Sequence, residues 1–161
     1  MGVEMTEGLD LKPSAILSLF RPIHARIREA LDGLDSAALN WRPGPETNSI
    51  GALVQHIAST ERNNVARISG AAREPFAWDD GRTFDRTEVL DVLDRLDAFL
   101  DEMAEVIPTS SLAMEVTHPH RGPSTAFVLL LQTYGHVTEH FGHLELTRQL
   151  YLQGARSHLE P

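Results

Sequence analysis

Apolar residues recur at steps of three and four along four long stretches, and this pattern most strongly limits how the chain can fold. Such spacing places the apolar side chains on one face of an α-helix. The stretches cover approximately residues 13–34, 48–70, 85–106 and 124–152. No segment alternates convincingly with period two, as a half-buried strand would. The pattern therefore predicts an all-α fold, a single four-helix bundle with long connections.

Helix-start and helix-stop residues set the expected boundaries. Asn48 and Ser49 can each cap the second helix, and Pro108 ends the third. Pro22 is expected either to kink the first helix or to mark its true first turn, and Gly154 is expected to stop the fourth. Residues 114–122 are expected to be loop or extended. The predicted organisation is an N-terminal arm over 1–12, a bundle over 13–154 and a C-terminal tail over 155–161.

Composition narrows the class of protein. The 161 residues carry a formal charge of -9, which argues against nucleic acid as a partner, because such binding needs a basic surface. There is no cysteine, so a disulfide, a Cys-ligated zinc site and a protein thiol nucleophile are excluded. The N-terminus is acidic where a signal peptide is basic, and the longest apolar run, Ala126 to Leu131, is too short to span a bilayer. We therefore expect a cytoplasmic protein without a membrane partner.

The fourth stretch carries three histidines on one helical face. At about 100° per residue, His140 lies roughly 40° around the helix from His136, and His143 roughly 20° to the other side. Two imidazoles one turn apart can bind one metal ion, so His136/His140 and His140/His143 are both candidate pairs. On the second stretch, His56 borders the apolar stripe and is the candidate ligand from another helix. Glu61, five residues further on, is near enough to support that ligand.

Two better-known metal motifs are excluded by residue order. A zincin helix needs His-Glu-x-x-His, whereas here Glu139 precedes His140. A di-iron bundle needs two inward Glu-x-x-His pairs, and the only such spacing falls in the expected loop. The other histidines are expected at the surface or in loops, and the acids of the third helix on a solvated face. These histidines are His24, His118, His120 and His158.

Two segments, taken together, resemble the DinB-like proteins. The first is Leu39-Asn40-Trp41-Arg42-Pro43 through Asn48-Ser49-Ile50-Gly51 to Leu53-Val54-Gln55-His56-Ile57, with Glu61 following. The second is His140-x-Gly142-His143 followed by Arg148. The sub-group that this chain most resembles is the N-terminal domain of mycothiol-dependent maleylpyruvate isomerase and its relatives.

The resemblance implies a four-helix bundle with a divalent metal, zinc or nickel, and a homodimer. Carried over residue by residue, it assigns His56, His136 and His140 as ligands and places His143 beside the metal or in the cavity wall. His136 stands where the isomerase sub-group tends to have glutamate, which counts against that particular activity. Tyr134 is expected near the same site.

Three hypotheses about function follow. The first is a transferase that activates a low-molecular-weight thiol of the mycothiol or bacillithiol type, as the resemblance implies, to react with a small-molecule substrate. The second is a non-catalytic metal- or small-molecule-binding module of a stress response. The third is a metal-activated hydrolase with Glu61 or Glu139 as general base. Trp41 and Arg148 are weak candidates for substrate binding, Arg148 through a substrate carboxylate, and no catalytic residue is assigned.

Overall fold

The structure is a computed structural model that describes residues 11–73 and 82–157, with side chains as far as 154. Six α-helices and one two-stranded antiparallel sheet lie in these ranges. The helices are α1 (Pro13–Leu17), α2 (Arg21–Ala30), α3 (Ser36–Asn40), α4 (Ile50–Ser69), α5 (Arg86–Val106) and α6 (Ala126–Ser157). The strands are β1 (Glu115–His118) and β2 (Gly122–Thr125), and 3₁₀ turns cover Ser18–Phe20 and Thr109–Ala113.

The four long segments expected from the sequence form the bundle. Its first member is built from α1, a 3₁₀ turn and α2, with Pro22 in the first turn of α2, so the second of the two roles expected for that proline is confirmed. The other members are α4, α5 and α6. This arrangement confirms the all-α four-helix fold.

Polar caps fix where the helices start. The Ser49 hydroxyl accepts a hydrogen bond from the Ala52 N–H at 3.3 Å and begins α4. The Asp85 carboxylate accepts from the Glu88 N–H at 2.8 Å and begins α5. At the other end of α4, Gly70 has a φ of 75°, the left-handed conformation that commonly follows a helix.

The order of the helices around the core brings the two histidine-bearing helices together. The main contacts of α4 are with α6 on one side and α5 on the other, and the α1–α2 segment contacts α5 and α6. The first member of the bundle is thus beside the third and fourth, and α4 lies diagonally across from it. Because α4 and α6 are neighbours, their side chains can share one site.

The structure adds detail to two connections and corrects one helix end. The stretch 114–122, expected to be loop or extended, carries β1 and the turn of the β1–β2 hairpin, in which Val116 is buried and pairs with Ser124. The first connector contains the short helix α3, capped by Asp35. Gly154 does not stop α6, which continues to Ser157 because a helical glycine costs only about 1 kcal/mol. Phe76, Trp78 and His158 lie outside the described residues.

The first connector, through Asn40, holds the segment before α5 in place. The Asn40 side chain donates to the Phe84 carbonyl and accepts from the Phe84 N–H, both at 2.8 Å. The Phe84 side chain packs over Gly51, where an added Cβ would lie 2.7 Å from three of its atoms. Asn40 and Gly51 therefore act in packing.

Candidate metal centre

Three histidines from two neighbouring helices converge. His56 of α4 faces His136 of α6, with 3.0 Å between their Nε2 atoms. The His140 ring, one turn further along α6, lies 4.7 Å from the His56 ring and 4.3 Å from the His136 ring, centroid to centroid. One nitrogen from each residue lies within 4.8 Å of the others. All three side chains are half-buried, so the cluster remains open to small molecules.

The surroundings keep these imidazoles neutral. Burial lowers the pKa of His56 below its usual value. Burial, with further contributions from His56, Arg121 and His118, lowers the pKa of His136 to about 4. Burial and the neighbouring histidines also lower the pKa of His140 to about 4. At neutral pH each ring therefore offers a lone pair, which is the form that binds metal.

The geometry of the triad fits a divalent cation. Zinc–nitrogen bonds of about 2.0–2.1 Å in a tetrahedral site place the ligand nitrogens roughly 3.3 Å apart. The facing nitrogens of His56 and His136 are close to that separation. Without an ion, the facing nitrogens of neutral His56 and His136 can share only one hydrogen bond, because each ring has a single N–H donor. Three converging lone pairs are better satisfied by a cation.

His143 lies beside the triad without joining it. Its Nδ1 is 3.4 Å from the Nδ1 of His140, and its side chain is exposed. Of the two pairs that spacing left open, the structure combines His136 and His140 with His56. A hydrogen bond that Nδ1 of His140 donates to Nδ1 of His143 orients the His140 ring and leaves the lone pair of its Nε2 for a metal ion.

Two other predicted site residues have partners elsewhere. Glu61 is turned roughly 140° around α4 from His56 and is completely buried, with Oε2 3.0 Å from Nε2 of His24. Tyr134 packs edge-on against Phe20, with ring centroids 5.7 Å apart, on the side of α6 away from the triad. Neither side chain contacts the histidine cluster.

The weak candidates for substrate binding also lie away from the triad. The Trp41 ring packs edge-on against Tyr151, 5.7 Å between centroids, which fixes the first connector to the end of α6. Arg148 is half-buried, and its Nε is buried without a hydrogen-bond partner. Its Cα lies about 12 Å along α6 from that of His140. A role for Arg148 in binding a carboxylate stays a prediction.

The expectation that His24 lies at the surface is wrong. It is completely buried, and its Nδ1 lies 2.7 Å from Oδ1 of Asp97 while Nε2 faces Glu61. Asp97, expected on a solvated face, is also buried, and its second oxygen accepts from Arg28 at 2.8 Å. The network ties α2, α4 and α5 together across the centre of the bundle.

The sequence spacing of His24 and Asp97 could have predicted that both side chains are buried. His24 lies four residues after Phe20 and three before Ile27, both completely buried, so it belongs to the apolar stripe. Asp97 lies four residues after Leu93 and three before Leu100 in the same way. A polar residue on such a stripe indicates a buried partner.

A groove of about 510 Å³ lies between α4 and α5. Arg62, Phe99 and Glu102 are among its lining residues, and none of the three clustered histidines is. The chemistry of the triad therefore belongs to the separate surface between α4 and α6. Among the described residues, no helix combines the length and apolar character needed to cross a bilayer.

The fold and the site together define the class of protein: a four-helix bundle whose second and last long helices, α4 and α6, carry a histidine triad. The sequence profile of the DinB superfamily matches residues 20–144. The chain belongs to the DinB superfamily, as the resemblance predicted. No curated protein sequence matches it significantly.

Solved structures of other proteins share the fold. A conserved protein of Enterococcus faecalis superposes with a TM-score of 0.71 at 18% identity, over 89% of this chain and 99% of that one. A DinB-like protein of Bacillus cereus gives 0.68 at 16% identity, over 84% and 90%. YfiT of Bacillus subtilis, described as a probable metal-dependent hydrolase with an unusual four-helix bundle topology, gives 0.67 at 14% identity, over 94% and 93%. At these identities the likeness concerns the fold.

Proposed function

We propose that the protein binds one divalent cation through His56, His136 and His140 and uses it to transfer a small thiol to an electrophilic substrate. The observation that supports this proposal is the convergence of three neutral imidazoles on a half-buried surface. Three protein donors leave at least one coordination position for a small molecule, as in catalytic rather than structural sites. Zinc and nickel both suit imidazole ligands.

When bound, a divalent metal stabilises the deprotonated form of a coordinated thiol or water and so supplies a nucleophile near neutral pH. The three histidines hold the cation, and His143 orients the ring of His140. In the transfer, a sulfur lone pair forms the new C–S bond while the leaving group departs with its bonding electron pair. The thiol proton passes to solvent. Because the chain has no cysteine, the thiol is a separate small molecule.

Hydrolysis is the second candidate, favoured by the description of YfiT as a probable metal-dependent hydrolase. A water nucleophile needs a general base. Glu61 faces His24 at 3.0 Å in the core of the bundle, which counts against Glu61 as the general base. Glu139 is exposed and close enough to raise the pKa of His140, although burial and the neighbouring histidines outweigh it. Glu139 is therefore the base that this candidate requires.

The test uses zinc-loaded protein with 1-chloro-2,4-dinitrobenzene and a panel of small thiols, and p-nitrophenyl acetate without thiol. Transferase activity is expected to need both metal and thiol and to be lost in His136→Ala. Arg95→Gln, an exposed change on α5, is the control and is expected to keep the parent rate. Ester hydrolysis without thiol, lost in Glu139→Gln, would favour the hydrolase. Full metal occupancy without either transferase or hydrolase activity would overturn both enzymatic candidates and favour the non-catalytic binding module.

A further inference from the structure

The β1–β2 hairpin, residues 115–125, spans the two helices that carry the triad. On one side, Nη1 of Arg67 of α4 donates to the Thr117 carbonyl at 3.3 Å. On the other, the Ala126 N–H at the start of α6 donates to the Met114 carbonyl at 2.9 Å. The hairpin therefore has a fixed position against both α4 and α6.

This hairpin brings basic side chains to the triad. His118 ends β1 and Arg121 lies in the turn between the strands. Both are close enough to His136 to lower its pKa, after the larger effects of burial and His56. Arg67 is eleven residues after His56 and roughly 20° around α4, so the two share a face. About 16 Å of helix rise separates their Cα atoms, and side chains on a helix lean toward its N-terminus, here toward His56.

The cations of this cluster lack acidic partners. Among residues 11–73 and 82–154, no carboxylate pairs with Arg67 or Arg121, and Nε of Arg67 is buried without a hydrogen-bond partner. Burial and the nearby Arg73 lower the pKa of Arg67, the reverse of what a carboxylate neighbour does. The chain has a net charge of -9, so arginines without an acidic partner among the described residues are unexpected. Other arginines do pair with acids: Arg21, Arg28, Arg82, Arg86 and Arg95.

His118 adds a directed donor to the two guanidinium groups. The His120 N–H donates to Nδ1 of His118 at 3.2 Å, so neutral His118 carries its proton on Nε2. Burial, followed by the charges of Arg67, Arg121 and His120, lowers the pKa of His118 and keeps it neutral. The one acid of the hairpin, Glu115, is exposed and leaves β1 on the face opposite to His118. The cluster thus offers N–H donors with positive charge and no competing carboxylate.

We propose that Arg67, His118 and Arg121 form a subsite for an anionic group, a carboxylate or a phosphate, of the molecule that reacts at the histidine triad. The inference rests on the proposed function and adds a substrate class to it. Guanidinium groups bind both anions in bidentate fashion, and hydrogen bonds between ions are stronger than those between neutral groups. The contacts of the hairpin with Arg67 of α4 and with the start of α6 place this subsite on the α4–α6 surface that also carries the triad.

A matched pair of thiols tests the subsite in the cobalt-substituted protein. 6-Mercaptohexanoate and 6-mercaptohexan-1-ol differ only in the charged end, and the cobalt–thiolate absorption band reports the Kd of each. We expect the carboxylate to bind about tenfold more tightly, as one extra charge-assisted hydrogen bond would give. The preference is expected to fall several-fold in Arg67→Gln and in Arg121→Gln, with the Kd of the alcohol unchanged. Arg95→Gln removes the same charge from α5 and is expected to retain the full preference.

Two further arms separate the possible failures. Competition by inorganic phosphate and by acetate against 6-mercaptohexanoate ranks the two kinds of anion. In the metal-free protein, hexanoate is expected to shift the His118 ring resonances in NMR spectra, whereas hexan-1-ol is not, and Arg121→Gln is expected to abolish the shift. Failure to bind cobalt would overturn the proposed function, and the hexanoate shift would still decide on the subsite. Equal affinities for the two thiols, or unmoved His118 resonances, would overturn the subsite.

Discussion

Removing the imidazole of His24 is expected to destabilise the protein severely. Its two nitrogens make contacts of 2.7 Å to Asp97 and 3.0 Å to Glu61 in the centre of the bundle. Hydrogen bonds to charged groups contribute about 1.5–3 kcal/mol each. Breaking a buried ionic pair on one side costs about 3–5 kcal/mol, because the other charge is left uncompensated. His24→Leu should therefore lower the free energy of unfolding by about 3–5 kcal/mol.

The double variant His24→Leu/Glu61→Leu gives the reasoning its sharpest test. It removes the carboxylate that the single change leaves unpaired, while Asp97 keeps its 2.8 Å contact with Arg28. We expect the double variant to be more stable than His24→Leu alone, since apolar replacement of a whole buried pair is often neutral.

Urea denaturation of the metal-free proteins, followed by far-ultraviolet circular dichroism, measures both differences. The single change corresponds to a fall in Tm of roughly 6–20 °C for a chain of this size. His120→Leu, at an exposed position of the hairpin, is the control and is expected within about 0.5 kcal/mol of the parent. A His24→Leu protein as stable as that control, or a double variant less stable than the single one, would refute the reasoning.

Three further expectations concern pH, packing and assembly. Burial alone would lower the pKa of His24, but its contacts with Glu61 and Asp97 outweigh burial and raise the pKa above 6.5. The contribution of protonated His24 to the stability of the fold should therefore be complete below pH 6.5 and be lost as pH rises through the raised pKa. The difference in the free energy of unfolding between the parent and His24→Leu, from urea titrations at pH 6.5 to 9, should fall as pH rises, because the titration of the triad histidines is common to both proteins and cancels. A difference that stays constant over this range would contradict it. Gly51→Ala should lower the free energy of unfolding by about 1–3 kcal/mol in the same assay, because the added Cβ would lie 2.7 Å from Phe84. Gly142→Ala is the control and should not destabilise the protein, because the space around Gly142 is open. Equal effects of the two changes would contradict the packing account. The homodimer stays a prediction, and the exposed Leu131 and Leu146 on the outer face of α6 make that helix the candidate interface. Leu146→Asp should convert the dimer to a monomer, as measured by analytical ultracentrifugation. A parent protein that is itself monomeric would contradict the predicted homodimer.

The sequence was sufficient for the long helices because their signals are local. Ser49 and Asp85 cap the helices that follow them, and the three- and four-residue stripes face the core. The hairpin could not be predicted in this way. Its strands have four residues each, include Pro123 and bury only Val116, so they lack the alternation that would identify them.

The candidate site was predictable only in part. Helical spacing placed His136, His140 and His143 on one face, but it could not show which pair faces His56, because that depends on how α4 and α6 pack. Glu61 illustrates the same limit: being five residues from His56 places it on another face of α4, where it contacts His24. The approach of Arg121 to the triad depends on the hairpin and had no signal in the helical pattern.

Metal content tests the central claim most directly. Elemental mass spectrometry of the purified protein is to be compared with His56→Ala and His140→Ala, each checked for helical content, and with His120→Ala as a control at an exposed histidine. The account predicts close to one equivalent of zinc or nickel in the parent and the control, and its loss in both triad variants, since one ligand comes from α4 and the other from α6. A folded parent that takes up no divalent metal after reconstitution, or triad variants that retain the full equivalent, would contradict it.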